Sequence, residues 1–160
     1  MKRLLFVFLC AAVLFCGCAK QSEENLLAFF AQNGAHLCRF EKEGVAFLAK
    51  VEVKENGSAL LVSFQKPDTL KGITLKKTAN ACTASIGGKD FAGAEALLAP
   101  FGIFWAKDAE LLAAKVQDGI KTVSVRCENN ADYTLRYNER GMLVSVEGGG
   151  YTLFFEERSV

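Results

Sequence analysis

The sequence predicts an α+β fold: a strongly curved antiparallel sheet, forming an open or half β-barrel, with helices covering its inner face. Three observations lead to this prediction. Apolar and polar residues alternate with a period of two along most of the chain after residue 35, as is typical of half-buried strands. Turn residues such as Asn56-Gly57 separate successive strands and favour antiparallel hairpins. The two prolines, Pro67 and Pro100, both fall in predicted connections and interrupt no strand.

The first 18 residues have the layout of an export signal. Lys2 and Arg3 are followed by a continuous apolar run and then by Cys16-Gly17-Cys18. At about 1.5 Å per residue the run makes a helix of roughly 18 Å, shorter than the ~30 Å hydrocarbon core of a membrane. An ordinary signal peptide is the alternative, but Phe15 would then occupy a position that favours a small residue. We predict that residues 1–17 are a signal that is removed.

The end of this segment, Leu14-Phe15-Cys16-Gly17-Cys18, resembles the lipobox of bacterial lipoproteins, in which a small residue precedes an invariant cysteine. The resemblance implies that Cys18 receives a diacylglyceryl thioether, becomes the new N-terminus and is N-acylated, with chains such as palmitate. Cys16 is the weaker candidate because the bulky Phe15 precedes it. Acyl chains would anchor the protein at the extracytoplasmic face of the cell membrane.

Length and charge define the rest of the domain organisation. Removal of 17 residues from the 160-residue chain leaves 143, the size of one domain. We predict a polar tether at residues 18–24 and a single domain at residues 25–160. Loss of Lys2 and Arg3 leaves 17 basic and 18 acidic residues. Because these are scattered along the chain, we expect no nucleic-acid partner, and the membrane is contacted through the lipid on Cys18.

The elements are predicted from the spacing of apolar residues. Glu24–Gln32 is predicted to be an amphipathic helix that packs across the sheet. In the middle of the chain Ala94–Leu98 and Asp108–Asp118 are predicted helices, with Asp108 as an N-cap. Asn56-Gly57 is predicted to form a type I′ turn. The predicted strands are Ala35–Phe40, Val45–Lys54, Ser58–Gln65, Gly72–Thr78, Ala81–Ile86, Lys121–Glu128, Asp132–Tyr137, Met142–Glu147 and Tyr151–Glu156.

Three cysteines, Cys38, Cys82 and Cys127, remain once the signal is removed and Cys18 is acylated. An odd number allows at most one internal disulfide, and their wide spacing excludes CxxC redox and zinc motifs. Each lies on the apolar face of its strand. We predict buried thiols; the sequence does not decide whether two of them pair.

The sequence predicts no catalytic residue, metal site or cofactor, and hence no enzyme. His36 is the only histidine, which excludes sites built from several histidines. It shares a strand face with Cys38, but a nucleophilic Cys–His pair needs the two groups to converge, with a third group orienting the ring. A core or rim histidine is therefore favoured.

The aromatic residues Phe101, Phe104 and Trp105 allow two interpretations. They form ordinary core, or they line an apolar cavity as ligand-binding residues, since ligand pockets are themselves mostly apolar. The sequence does not separate these alternatives.

From residue 61 onward the chain contains the run Leu61–Gly72 (LVSFQKPDTLKG), then a hairpin ending near Gly87–Phe91, a helical insert and a final meander of strands. This order of elements resembles the half-barrel lipoprotein carriers of the LolA and LppX type, especially uncharacterised relatives in Firmicutes. The resemblance implies an open barrel whose hydrophobic concavity holds acyl chains. It leads to the hypothesis of a non-enzymatic, membrane-anchored extracytoplasmic lipoprotein that binds or handles a lipid or other apolar ligand. The alternative is a structural or protein-interaction lipoprotein with a fully packed core, no ligand and an unknown protein partner.

Overall fold

The computed structural model describes residues 27–106, 108–128 and 130–156. The predicted signal, the tether and Cys18 lie outside this range. Helix α1 is Ala28–Ala31, and 3₁₀ turns occur at Glu55–Gly57 and Asp68–Leu70. A longer 3₁₀ stretch, Glu95–Trp105, is called the central segment below. The strands are β1 (Gly34–Lys42), β2 (Val45–Lys54), β3 (Ala59–Lys66), β4 (Thr74–Lys77), β5 (Cys82–Ile86), β6 (Lys89–Ala92), β7 (Ala109–Gln117), β8 (Ile120–Cys127), β9 (Asp132–Tyr137), β10 (Leu143–Gly148) and β11 (Tyr151–Phe155).

All these strands belong to one antiparallel sheet, in the order β6-β5-β4-β3-β2-β1-β11-β10-β9-β8-β7. Strands that are neighbours in sequence pair with each other, except β6 and β7, and β1 also pairs with β11 at the centre of the sheet (Phe40 opposite Leu153). The central segment lies between β6 and β7 in sequence, and these two strands form the edges of the sheet. The sheet is therefore an open half-barrel, and the predicted fold class is confirmed.

One hydrophobic core lies on the inner face of this sheet. The two-residue alternation places Ala49, Val51 and Val53 of β2 in the core. Ala84 of β5 and Val125 of β8 belong to the same cluster, although they stand near opposite edges of the sheet. Because side chains from both ends of the sheet meet in one core, the sheet must curve around the residues that fill it. Those residues come from α1 and the central segment.

The predicted helix at Asp108–Asp118 is wrong: this region is the strand β7, so Asp108 caps no helix. The cause is the turn that follows. Asp118 and Gly119 have φ angles of 51° and 75°, and they join β7 to β8 in a hairpin from Gln117–Ile120 back to Ala109–Cys127. Pairing with β8 overrides the helical spacing of the apolar residues. Most of the predicted helix Ala94–Leu98 is helical, but it is the start of the 3₁₀ central segment and not an α-helix.

The other boundaries differ from the predictions in detail. Val45–Lys54 and Asp132–Tyr137 are confirmed as predicted, and the Gly87-Gly88 turn is followed by β6, which the sequence did not predict. The β2–β3 hairpin is confirmed, but its turn is not a two-residue type I′ turn. Lys54 pairs with Ala59, and the four residues between them include three with positive φ. None of the helices within the described residues is long and apolar enough to cross a membrane.

Candidate apolar site inside the half-barrel

The central segment occupies the concave side of the sheet. Leu98, Phe101, Ile103 and Phe104 are each at most 1% exposed. Pro100 lies within the segment, and a proline in a helix interior removes a hydrogen bond and clashes with the preceding turn. The observed 3₁₀ path is consistent with this restriction. The segment places a continuous row of apolar side chains against the sheet.

Gly102 permits the close approach of this segment to β9. A Cβ atom at this position would lie 2.6 Å from the hydroxyl oxygen of Tyr133. Non-bonded atoms do not come this close, so any larger residue would push the segment or the tyrosine away. Tyr133 is itself buried. Glycine, which has no Cβ atom, is therefore the residue that fits where the central segment meets Tyr133 of β9.

Phe101 is enclosed by aromatic side chains of the first three strands. Its ring centroid lies 4.4 Å from that of Phe40 and 6.4 Å from those of Phe47 and Phe64. Phe40 in turn stacks on Phe47, with centroids 4.9 Å apart. Such ring pairs add to the stabilisation that burial alone provides. Phe101 is thus part of the packed core.

Phe104 lies in a second aromatic group. Its ring meets the edge of Phe30 from α1 at 5.5 Å and lies 5.9 Å from His36 and 6.3 Å from Phe155. His36 is half-buried and also contacts Phe29 at 4.9 Å. The structure therefore places the single histidine at the aromatic rim of the core, as the sequence favoured.

A cleft of about 290 Å³ opens beside this second group. Phe104 and Trp105 form one wall, α1 forms another, and the β2–β3 turn forms the third. Lys77 places its Nζ atom 5.3 Å from the centre of the Trp105 ring. The volume is just below the range of about 300–1,000 Å³ that is typical of ligand-binding clefts. The full lining is Leu27, Ala28, Ala31, Asn56, Gly57, Ser58, Phe104, Trp105 and Ala106.

The three residues proposed as ligand-lining therefore occupy different environments. Phe104 and Trp105 reach the cleft, whereas Phe101 is fully buried and does not line it. Sequence reasoning did not find the other walls. The backbone N–H of Asn56 donates a hydrogen bond of 2.8 Å to Oδ1 of Asn33, which holds the β2–β3 turn near the end of α1. These residues are 23 positions apart, and no local pattern indicates the contact.

All three remaining cysteines are buried, as the sequence favoured, and all three are free thiols, which the sequence left open. Burial raises the pKa of the Cys38 thiol strongly, and the nearby Glu156 adds to the rise. Burial is also the main cause of the raised pKa values of the Cys82 and Cys127 thiols. A nucleophilic cysteine needs a lowered pKa. The burial of these thiols is therefore unfavourable for a nucleophilic role.

Alkylation of the native protein by iodoacetamide is expected to be slow at these cysteines. The thiolate is the reactive form, and the raised pKa values keep it scarce at neutral pH while burial blocks access. The measurement is mass spectrometry of tryptic peptides over time, with the urea-unfolded protein as the control for full reactivity. Rapid labelling of Cys38 in the native protein would contradict this prediction and revive an enzymatic interpretation.

The interior offers few polar groups. Among the described residues, the buried ones are apolar except for Ser145, the thiols and the hydroxyl group of Tyr133. Within the same residues, no group of three or more His, Cys, Asp and Glu side chains is placed to hold a metal ion. The chemistry that this arrangement supports is the enclosure of apolar groups.

Fold and site together define an open half-barrel with an apolar interior covered by an internal segment. No family model matches the chain, and no curated protein matches it.

Solved structures with a similar chain path do exist. A LolA superfamily protein from Nitrosomonas europaea is 9% identical with a TM-score of 0.47, covering 84% of this chain and 92% of its own. An uncharacterized conserved protein from Thermus thermophilus is 13% identical with a TM-score of 0.43, covering 79% and 78%. LprF from Mycobacterium bovis is 11% identical with a TM-score of 0.37, covering 82% and 88%. At these identities and TM-scores the likeness carries no functional argument.

Proposed function

We propose that this protein is a lipid-anchored, extracytoplasmic and non-enzymatic lipoprotein that binds an apolar ligand, such as an acyl chain, starting from the cleft beside Trp105. The anchor is the acylated Cys18 that the lipobox-like sequence indicates. The observation that carries the ligand proposal is the cleft itself. It adjoins the aromatic core through Phe104, and α1 and Trp105 give it apolar walls opposite the polar wall formed by the β2–β3 turn.

The covering of the half-barrel supports a route from the cleft inward. The central segment has no place in the order of paired strands, and its buried side chains attach it to the sheet. Displacement of Phe104 and Trp105 would therefore enlarge the cleft without breaking the sheet. A ligand that binds the displaced state better would stabilise it.

A packed-core lipoprotein that binds only a protein partner is the second candidate. The observation that favours it is the complete burial of Phe101 and Ile103, which fill the concavity where a carrier would hold its ligand. Under this candidate the cleft is a surface depression without an occupant.

The two candidates are separated by native mass spectrometry of the full-length mature protein purified from its own host. We expect a co-purifying apolar molecule on the wild type. Ser58→Trp, which places an indole ring on the cleft wall at an exposed turn position, should remove it. Asn80→Trp, at an exposed turn residue that does not line the cleft, is the matched control and should retain the molecule. A wild type without any bound molecule would favour the packed-core candidate.

A further inference from the structure

The strand β7 is an open edge of the sheet. It runs from Ala109 to Gln117 and pairs on one side with β8; no strand of the described chain lies on its other side. Unpaired backbone N–H and C=O groups of such an edge are a template for another strand. The opposite edge, β6, has only the four residues Lys89–Ala92. Of the two edges, β7 is therefore the longer template.

Apolar side chains are exposed along this edge. Val116 is 72% exposed and Leu112 is 41% exposed, and Ile120 after the turn is 38% exposed. Proteins usually protect edge strands with charges, prolines or short length. β7 contains no proline, and its charged residues are Glu110 and Lys115. An edge of this kind favours pairing with a further strand.

A bulge at Leu112 decides which side chains share a face. Leu111 pairs with Val125, but the next partner pair is Ala113 with Ser124, so Leu112 is the extra residue. Residues opposite the buried Val123 and Val125 point to the inner face of the sheet, which places Leu111 and Ala114 there. Glu110 and Lys115 consequently share the outer face. Without the bulge, residues five positions apart in a strand would point to opposite faces.

This arrangement makes the strand complementary to itself. In an antiparallel pair of two copies related by a two-fold axis between Leu112 and Ala113, Glu110 of each copy stands opposite Lys115 of the other. In the same register Leu111 faces Ala114 and Ala109 faces Val116, so inner-face residues meet inner-face residues. Opposite charges placed across a strand pair are stabilising. This register therefore sets opposite charges across from each other and also keeps the inner faces of both copies on the same side of the sheet.

We propose that two copies of this protein associate through their β7 edges in that antiparallel register, forming a two-fold symmetric dimer with a continuous sheet. Each contact then occurs twice, as the symmetry of such an interface requires. The occupant of the edge is a second copy because the Glu110–Lys115 complementarity is internal to the strand. The proposal does not depend on the apolar ligand.

The test uses charge reversal on the full chain in detergent, with sedimentation velocity over a range of protein concentrations. Lys115→Glu sets like charges opposite each other twice and is expected to weaken dimerisation about tenfold. The double variant with Glu110→Lys and Lys115→Glu restores both pairs across the dimer and should dimerise more strongly than Lys115→Glu alone, although Glu110→Lys also sets a lysine opposite Arg126 of its own β8. Lys89→Glu, the same charge change on the β6 edge, is the matched control and should have no effect.

Amide hydrogen exchange supplies a second readout. We expect protection of β7 to rise with protein concentration while that of β6 stays constant, since only the β7 edge gains hydrogen bonds. A protein that remains monomeric at all concentrations would overturn the proposal. So would a dimer in which Lys115→Glu has no effect, or in which the double variant is as weak as Lys115→Glu alone.

Discussion

Phe101→Ala is expected to lower the free energy of unfolding by about 3–5 kcal/mol, the usual cost of deleting a buried aromatic side chain. Phe101 is fully buried, and its ring lies 4.4 Å from Phe40 and 6.4 Å from Phe64. A loss near the upper end of this range would mean that the site collapses little after truncation.

The measurement is urea unfolding followed by the fluorescence of Trp105, the single tryptophan of the chain, which ends the central segment. Phe91→Ala on β6 is the matched control. Phe91 is 51% exposed, so the same truncation there should cost far less. A loss below about 1 kcal/mol for Phe101→Ala would mean that the aromatic group contributes little to stability.

The same variant bears on the proposed function. Under the ligand proposal, Phe101→Ala should retain a bound apolar molecule, because the cleft at Phe104 and Trp105 is intact. Large destabilisation together with a wild type that carries no apolar molecule would leave the packed-core candidate.

The sheet could be predicted from the sequence because its strands are half-buried. Val51 and Val53 are buried while Lys50 and Lys54 are exposed, and this alternation is visible in the sequence without any knowledge of the partner strands. The predicted hairpin turn at Asn56-Gly57 indicated that the strands on either side of it are antiparallel. The pairing of β1 with β11 has no such local signal, because it joins the two ends of the domain.

β7 was missed for a physical reason. It has no clear alternation, since residues 112–117 are exposed regardless of the face they are on. Alanine, leucine and lysine also favour helices, so the local preference and the final structure disagree. The Asp118-Gly119 pair is the sequence feature that indicates a hairpin here, because aspartate and glycine tolerate the positive φ angles of a two-residue hairpin turn.

The candidate site was only partly accessible to sequence reasoning. The apolar run Phe101–Trp105 indicated either a core or a cavity wall, and the structure places its members in both settings. The remaining cleft walls come from α1 and from the β2–β3 turn. The hydrogen bond between Asn33 and Asn56 joins these walls across 23 positions of sequence, so no local pattern indicates it.

Cys18→Ala is expected to abolish production of the mature, acylated protein. In the proposed modification the thioether is made to the cysteine sulfur, so alanine would leave no atom for the diacylglyceryl group to join, and processing that depends on this group would stop. Two acyl chains or more give stable attachment at about 0.8 kcal/mol per buried CH₂ group, whereas one chain holds a protein only marginally. The chain has no basic cluster that could replace them at the membrane surface.

The measurement combines metabolic labelling by an alkyne fatty acid with electrophoresis of the membrane fraction. Membrane location alone does not decide the question, because an uncleaved precursor keeps its apolar run and can stay at the membrane. The decisive readout is therefore the label together with the loss of 17 residues. Cys16→Ala removes the neighbouring thiol, which follows the bulky Phe15, and should leave both labelling and cleavage intact. A Cys18→Ala protein that still matures with its fatty-acid label would remove the anchor from the proposed function and, with it, the assignment to the membrane.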